Sequence, residues 1–347
     1  MRRLSIRFRN QLRRRLMHMR FEPGVLPHPV KVGMIGAGKA ARYHMHALRS
    51  IQGVDVAFIA NRSSRRAADL AQQYEITHVY NDLEEALERQ EVDAVFVAVS
   101  VEATFSVAQR ILERRIPCLI EKPLGLTYAE AQALAKLVDQ QSFPSCVGFN
   151  RRMLSCIQKA QEVVGQLPEL YAIHVEVPEA IDRFYQQGKH SVERLQNWLI
   201  LNSIHYIDLL TLFGGLSETV KGMRAKVPSE RSAREDYMCL IAFKNGMVGS
   251  YLGHWHSPGA MKLELFGRGY RITILPERNM IEASGRAHTL LQGFTPTLYD
   301  RLFKPGVYLQ NFKFLEAVAG RRAVEAPLAR LEHSLWSMKL AEAILHS

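Results

Sequence analysis

Between residues 30 and 149 short apolar runs alternate with longer amphipathic stretches, the most regular hydrophobic pattern in the chain. Val-Lys-Val-Gly-Met-Ile (30–35) is β-branched and apolar, enters a Gly-rich turn at Gly36-Ala37-Gly38, and gives way to a helical stretch ending near residue 50. Further strand-like runs stand at 54–60, 77–80, 92–99, 117–120 and 145–149, and 54–60 reads as a buried strand by its length and composition. The segments between them, 64–74, 83–88, 103–114 and 128–140, carry helical periodicity. Short connections in this order suit parallel crossovers and predict a doubly wound parallel sheet of Rossmann type ending near Phe149. Beyond Asn150 the texture changes. Helical stretches at 153–164 and 198–213 flank a strand near 170–177 and an irregular segment at 185–194. Strand-like runs follow at 219–226, 236–243, 247–255, 260–266, 271–274 and 279–283. Asn245-Gly246 and Gly267-Arg268-Gly269 are hairpin turns, so this sheet is expected to be large, open and mostly antiparallel. Two closing helices, 309–319 and 328–345, each have one apolar face.

The α/β fold expected is therefore a Rossmann domain at 29–149 and an α+β domain at 150–347 for substrate and oligomerisation, with residues 309–347 turning back toward the first domain. A length of 347 residues agrees with two domains. No apolar run approaches the roughly 20 residues of a membrane span. Cys118, Cys146, Cys156 and Cys239 are widely spaced with no Cys-x-x-Cys pair, which predicts buried thiols in a reducing, cytoplasmic setting. The net charge of +11 is concentrated at one end: eight arginines precede the first acidic residue, leaving +3 for the rest. Residues 1–28 are read as a flexible Arg-rich leader whose interleaved apolar residues could touch an anionic membrane surface or an acidic partner. Nucleic acid is not an expected partner, because the body lacks a basic stripe.

The chemistry starts at Gly36, which permits the tight turn, Gly38, which lets a pyrophosphate approach the backbone, and Ala41, small enough for helix to pack on strand. At the end of the second strand an NAD site usually offers a carboxylate to the ribose; here stand Asn61 and Arg62, with Arg65 and Arg66 at the helix start. A neutral amide beside a guanidinium suits an adenosine 2′-phosphate, so NADP is the preferred cofactor and NAD the alternative. Lys122, in Glu121-Lys122-Pro123, is expected at a strand's C-terminal tip, where it can polarise a substrate oxygen.

With the Gly turn, Glu121-Lys122-Pro123-Leu124, Gly148-Phe149-Asn150-Arg151-Arg152 and His205-Tyr206-Ile207-Asp208 in hand, the chain from about Lys31 onward resembles the glucose-fructose oxidoreductase and inositol dehydrogenase family, Gfo/Idh/MocA. The resemblance implies hydride transfer with sugars, cyclitols or their derivatives, and assembly of dimers or tetramers through the second sheet. It also implies a catalytic lysine, matched by Lys122, and a catalytic histidine, matched by His205. Ser100 and Glu121 fall at the cofactor side of the cleft. Asn150, Arg151, Arg152 and Asn202 are the expected substrate contacts; Arg151 or Arg152 could hold a phosphate or carboxylate bidentately, suiting a nucleotide-linked sugar or a sugar acid, and a salt bridge across the domain junction is the equal alternative for them. Asp208 is read as an orienting or structural group.

Two departures stand out. Many members place an Asp four residues before the His, where this chain has Leu201, and the loop after the fourth strand reads Ser100-Val101-Glu102 with Phe105 instead of the usual Thr-Pro-Asn and His. They motivate an alternative: a cofactor-binding accessory or sensor protein in polysaccharide or envelope assembly, without turnover. His254 and His256 share a strand face by alternation, but no further ligands are identifiable and no metal is expected.

Overall fold

The structure, a computed structural model, describes residues 22–138, 143–179, 181–187, 197–227, 234–286, 288–291 and 294–347. Most of the Arg-rich leader lies outside these residues, as do most of 185–194 and the end of the helix read at 128–140.

The first sheet has six parallel strands in the order β3-β2-β1-β4-β5-β6, with β1 Val25–Ile35, β2 Gln52–Ala60, β3 His78–Tyr80, β4 Ala94–Val97, β5 Cys118–Ile120 and β6 Ser145–Val147. Helices α1 Lys39–Leu48, α2 Ser64–Tyr74, α3 Leu83–Arg89, α4 Val101–Glu113 and α5 Tyr128–Leu137 connect them. Side-chain caps set two of the starts. Asp82 Oδ1 accepts from the backbone N–H of Glu84 and Glu85 at 2.8 and 3.0 Å, and Thr127 Oγ1 accepts from that of Glu130 at 3.2 Å.

β1 begins at Val25, inside the stretch assigned to the leader. Val25 pairs with Gln52, and a register shift separates it from Val30, where regular pairing with β2 starts. Pairing with β4 starts only at Val32, so Pro27 and Pro29 occupy a bulged extension with one open edge, a position that tolerates a missing N–H. The backbone N–H of Gly24 donates to the Tyr308 hydroxyl at 2.7 Å, fastening this start to the far end of the chain.

In the second domain a 3₁₀ turn, Asn150–Met153, leads to α6 Ser155–Val164 and β7 Leu170–Pro178. After α7 Ile181–Gln186 comes a feature that periodicity did not show: the expected helix at 198–213 opens as a π turn, Leu199–Ser203, before continuing as α8 Ile204–Gly214. The sheet adds β8 Ser217–Val227, β9 Arg234–Phe243, β10 Val248–His254, β11 Lys262–Gly267, β12 Tyr270–Leu275, β13 Met280–Gly285 and β14 Thr289–Leu291. Its order is β14-β13-β12-β11-β7-β10-β9-β8, antiparallel except where β10 runs parallel to β7. Ile173, Val175, Ile241, Leu263, Leu265 and Ile272 point into the core. The opposite face leaves Met223 71%, Met238 53% and Leu240 70% exposed.

The chain finishes with α9 Leu298–Leu302, α10 Val307–Ala319 and α11 Leu331–Leu345. Short α9 and β14 escaped the sequence reading because neither is long enough to show a period. α10 lies on β1 and α1, where Tyr308, Phe314 and Leu315 join Val32, Met34 and Phe96 in one buried cluster. α11 packs on α5 and α8, and Ala329 O accepts from the backbone N–H of Val147 at 2.8 Å. The closing helices cover part of the Rossmann sheet with residues from the other end of the chain. All four cysteines are free and buried.

Candidate active site

The C-terminal ends of β1, β2, β4 and β5 open on a cleft of about 830 Å³ whose far wall comes from the second domain. Its lining includes Gly38, Asn61, Arg62, Ser100, Glu121, Lys122, Asn150, Asn202 and His205, so most of the residues singled out in the sequence meet in one space. Gly36 and Ala41 support it from behind. Gly36 has φ +110, and a Cβ there would sit 2.2 Å from the Ala98 carbonyl oxygen, while Ala41 is fully buried. A Cβ at Gly38 would meet nothing within 4 Å. The backbone at the start of α1 thus faces open volume, and its free N–H groups and positive dipole end suit a dinucleotide diphosphate. At the β2 end Asn61 Nδ2 donates to the Ser63 carbonyl at 3.0 Å, and Arg62 and Arg66 both line the cleft.

Lys122 and His205 converge from separate domains. Lys122 Nζ donates to the Leu201 carbonyl oxygen at 2.8 Å, one turn before His205. His205 is buried, with Phe149 edge-on at 6.1 Å between centroids, and its Nδ1 takes no hydrogen bond among the described residues. Burial holds its pKa well below the usual histidine range, and the positive charges of Lys122, Arg151 and Lys304 push it the same way. The imidazole is therefore neutral at physiological pH and able to accept a proton.

The three residues after Phe149 have different fates. Asn150 lines the cleft, and its Nδ2 donates to the Pro305 carbonyl at 2.8 Å, latching the segment before α10. Arg151 stacks over the Tyr206 ring at 3.9 Å and lies 4.0 Å from Glu277; burial lowers its pKa to about 10. Arg152 is a correction to the expected substrate contacts and takes the salt-bridge alternative. It is buried, with Nε and Nη2 each 2.6 Å from the Asp208 carboxylate, to which Ser337 also donates at 2.9 Å. Its planar fork is spent on joining the 3₁₀ turn to α8 and does not reach the cleft. Asp208 has the structural part expected of it. The histidine pair is likewise different: β10 ends at His254, which contacts Glu176 at 3.0 Å, while His256 lies beyond the strand against Asp236 at 3.2 Å.

Residues 30–149 match the GFO_IDH_MocA family, described as "Oxidoreductase family, NAD-binding Rossmann fold". This Rossmann domain belongs to the Gfo/Idh/MocA oxidoreductase family. Among curated relatives, D-apiose dehydrogenase of Paraburkholderia graminis is 23% identical over 221 residues, 63% of this chain and 58% of that protein. UDP-N-acetylglucosamine 3-dehydrogenase of Acidithiobacillus ferrooxidans is 28% identical over 129 residues, 37% of this chain and 40% of that one. The matched part thus spans about half the length of these relatives. An oxidoreductase from Agrobacterium radiobacter, solved with NAD+, L-tartaric acid and magnesium, shares the fold at a TM-score of 0.79 and 18% identity, covering 92% of this chain and 96% of that one.

Around the family's Gly turn, Lys and His, this chain adds groups that sequence reasoning did not find. Lys304, from the segment before α10, lines the cleft with Nζ 5.7 Å from the centre of the Tyr43 ring, which Lys39 approaches at 5.9 Å. Glu179, just past β7, is buried and accepts from Trp198 Nε1 at 2.5 Å, Asn202 Nδ2 at 2.6 Å and Ser203 Oγ at 3.2 Å. Neither belongs to a local motif, and only the tertiary fold brings them to the site. One test of the buried pair is stability. Arg152→Ala leaves the Asp208 carboxylate without its cation and is expected to cost about 3–5 kcal/mol, read from urea unfolding of variant and parent.

Proposed function

We propose that this protein is an NAD(P)-dependent dehydrogenase that moves a hydride between nicotinamide and a carbohydrate hydroxyl or carbonyl, with NADP preferred. The observation that carries the reading is the meeting of Lys122 and His205 in the cleft that also contains the open backbone at Gly38. The sugar dehydrogenases among the relatives support the substrate class. When bound, nicotinamide supplies the acceptor or donor of hydride. Gly38 and the start of α1 would hold the diphosphate, and Asn61 and Arg62 the adenosine ribose end. In the oxidation direction His205 takes the hydroxyl proton on Nε2, the ring nitrogen left to the cleft, as hydride leaves the same carbon. Lys122 keeps one N–H on the Leu201 carbonyl and turns another to the reacting oxygen, stabilising the developing alkoxide. The exposed apolar face of the second sheet is the surface through which a second copy pairs.

Lys122→Ala is expected to bind NADPH as the parent does and to lose turnover by about 10²–10⁴-fold, measured by fluorescence titration and by absorbance of the reduced nicotinamide. Unchanged turnover removes Lys122 from the chemistry. Because protonation of His205 is disfavoured in the fold, the acid limb of kcat/KM for alcohol oxidation is expected below pH 6.5; a limb above that value assigns the proton to another group. Arg62→Ala is expected to raise the NADPH dissociation constant about tenfold while leaving that of NADH nearly unchanged. Leu240→Glu is expected to shift the molecular mass in light scattering toward the monomer.

A further inference from the structure

The carboxylate of Glu179 makes no contact with the cleft, yet everything it holds belongs to the turn that does. Glu179 is 7% exposed at the exit of β7, and its three donors are Trp198, just before the π turn ahead of His205, and Asn202 and Ser203 within it. A carboxylate buried without partners is costly, and this one is compensated by two N–H groups and a hydroxyl. Burial still raises its pKa, with the three donors and Arg151 opposing.

The consequence falls on Asn202. The Trp198 indole N–H can only donate and holds Glu179 Oε2 as an acceptor, so the Asn202 amide presents Nδ2 to the same oxygen; turning it over would set oxygen against oxygen. Asn202 lines the cleft, and among the described residues its Oδ1 accepts no hydrogen bond. A side-chain amide that could in principle donate or accept is therefore fixed as an acceptor.

We propose that Glu179 is a positioning residue that locks Asn202 with Oδ1 toward the cleft, so that position 202 selects a hydroxyl of a neutral polyhydroxylated substrate. A carboxylate, phosphate or carbonyl oxygen brought to the same place meets another acceptor and is disfavoured. The proposal rests on the hydride-transfer reading for the word substrate, but its test separates the two.

NADPH-loaded protein is titrated by calorimetry with D-glucose, D-xylose and myo-inositol, with the single-deoxy analogues of each, and with D-gluconate and D-glucuronate, and turnover is followed in parallel. The expected result is that one deoxy position weakens binding about tenfold, and that Asn202→Leu abolishes this penalty while raising KM about tenfold and changing kcat less than about threefold. Glu179→Gln, which keeps the volume but lets the amide at 202 turn, is expected to reduce the same penalty with circular dichroism unchanged. If Glu179→Gln does not fold, the Asn202 side-chain amide of the parent gives the reading by itself: slow exchange and a downfield shift support the lock, rapid exchange overturns it. Equal or tighter binding of the acids, no deoxy penalty at any position, or no sugar binding overturns the proposal. Hydroxyl-dependent binding without turnover removes the hydride-transfer reading and leaves this one standing.

Discussion

A single hydrogen bond ties the two halves of the site together: the Lys122 ammonium, at the tip of a Rossmann strand, donates to the Leu201 carbonyl of the second domain at 2.8 Å. A regular helix would keep that carbonyl for its own i+4 N–H. The π turn at Leu199–Ser203 shifts the ladder by one residue, the kind of local irregularity that recurs at functional positions. The same contact brings a fixed positive charge close to His205 and helps hold the imidazole neutral. Position of the lysine and protonation state of the histidine are thus set by one piece of geometry.

That geometry needs both domains to be held in register, and the closing helices do this through packing rather than through a hinge. One buried cluster contains Val147 and Leu134 of the first domain with Ile207 and Leu210 of α8 and Met338 and Ile344 of α11. The buried Arg152–Asp208 pair stands at the same junction. Ion pairs of this kind add little net stability over apolar packing, but removing one partner is costly, so the pair is best understood as specifying how α8 sits against the turn after β6.

Much of this was legible in the chain. The parallel sheet could be read because each strand is a short apolar run with a helical stretch behind it, and the α2 bounds, Ser64–Tyr74, follow from that pattern. Lys122 and His205 were legible through motif and resemblance, and their convergence requires only that both lie at ends of buried elements. Arg152 could be read either as a substrate contact or as half of a salt bridge, and its partner stayed hidden because a local motif says nothing of a carboxylate 56 residues away. Leu201, at the position where the resemblance implies Asp, suggested a site without a tuning carboxylate. The fold sets Glu179, just past β7, against the side chains of Trp198, Asn202 and Ser203, a placement that no local pattern records. Lys304 was invisible for the same reason.

The cover that α10 lays over β1 has a consequence for how the chain comes into being. Val32, Met34 and Phe96 are made more than two hundred residues before Phe314 and Leu315, which complete their enclosure. During that interval the nascent Rossmann half shows water an unfinished apolar wall, the condition under which partly folded chains associate or recruit chaperones. The wall is closed only by contacts of high sequence separation, the kind whose loop-closure entropy slows folding.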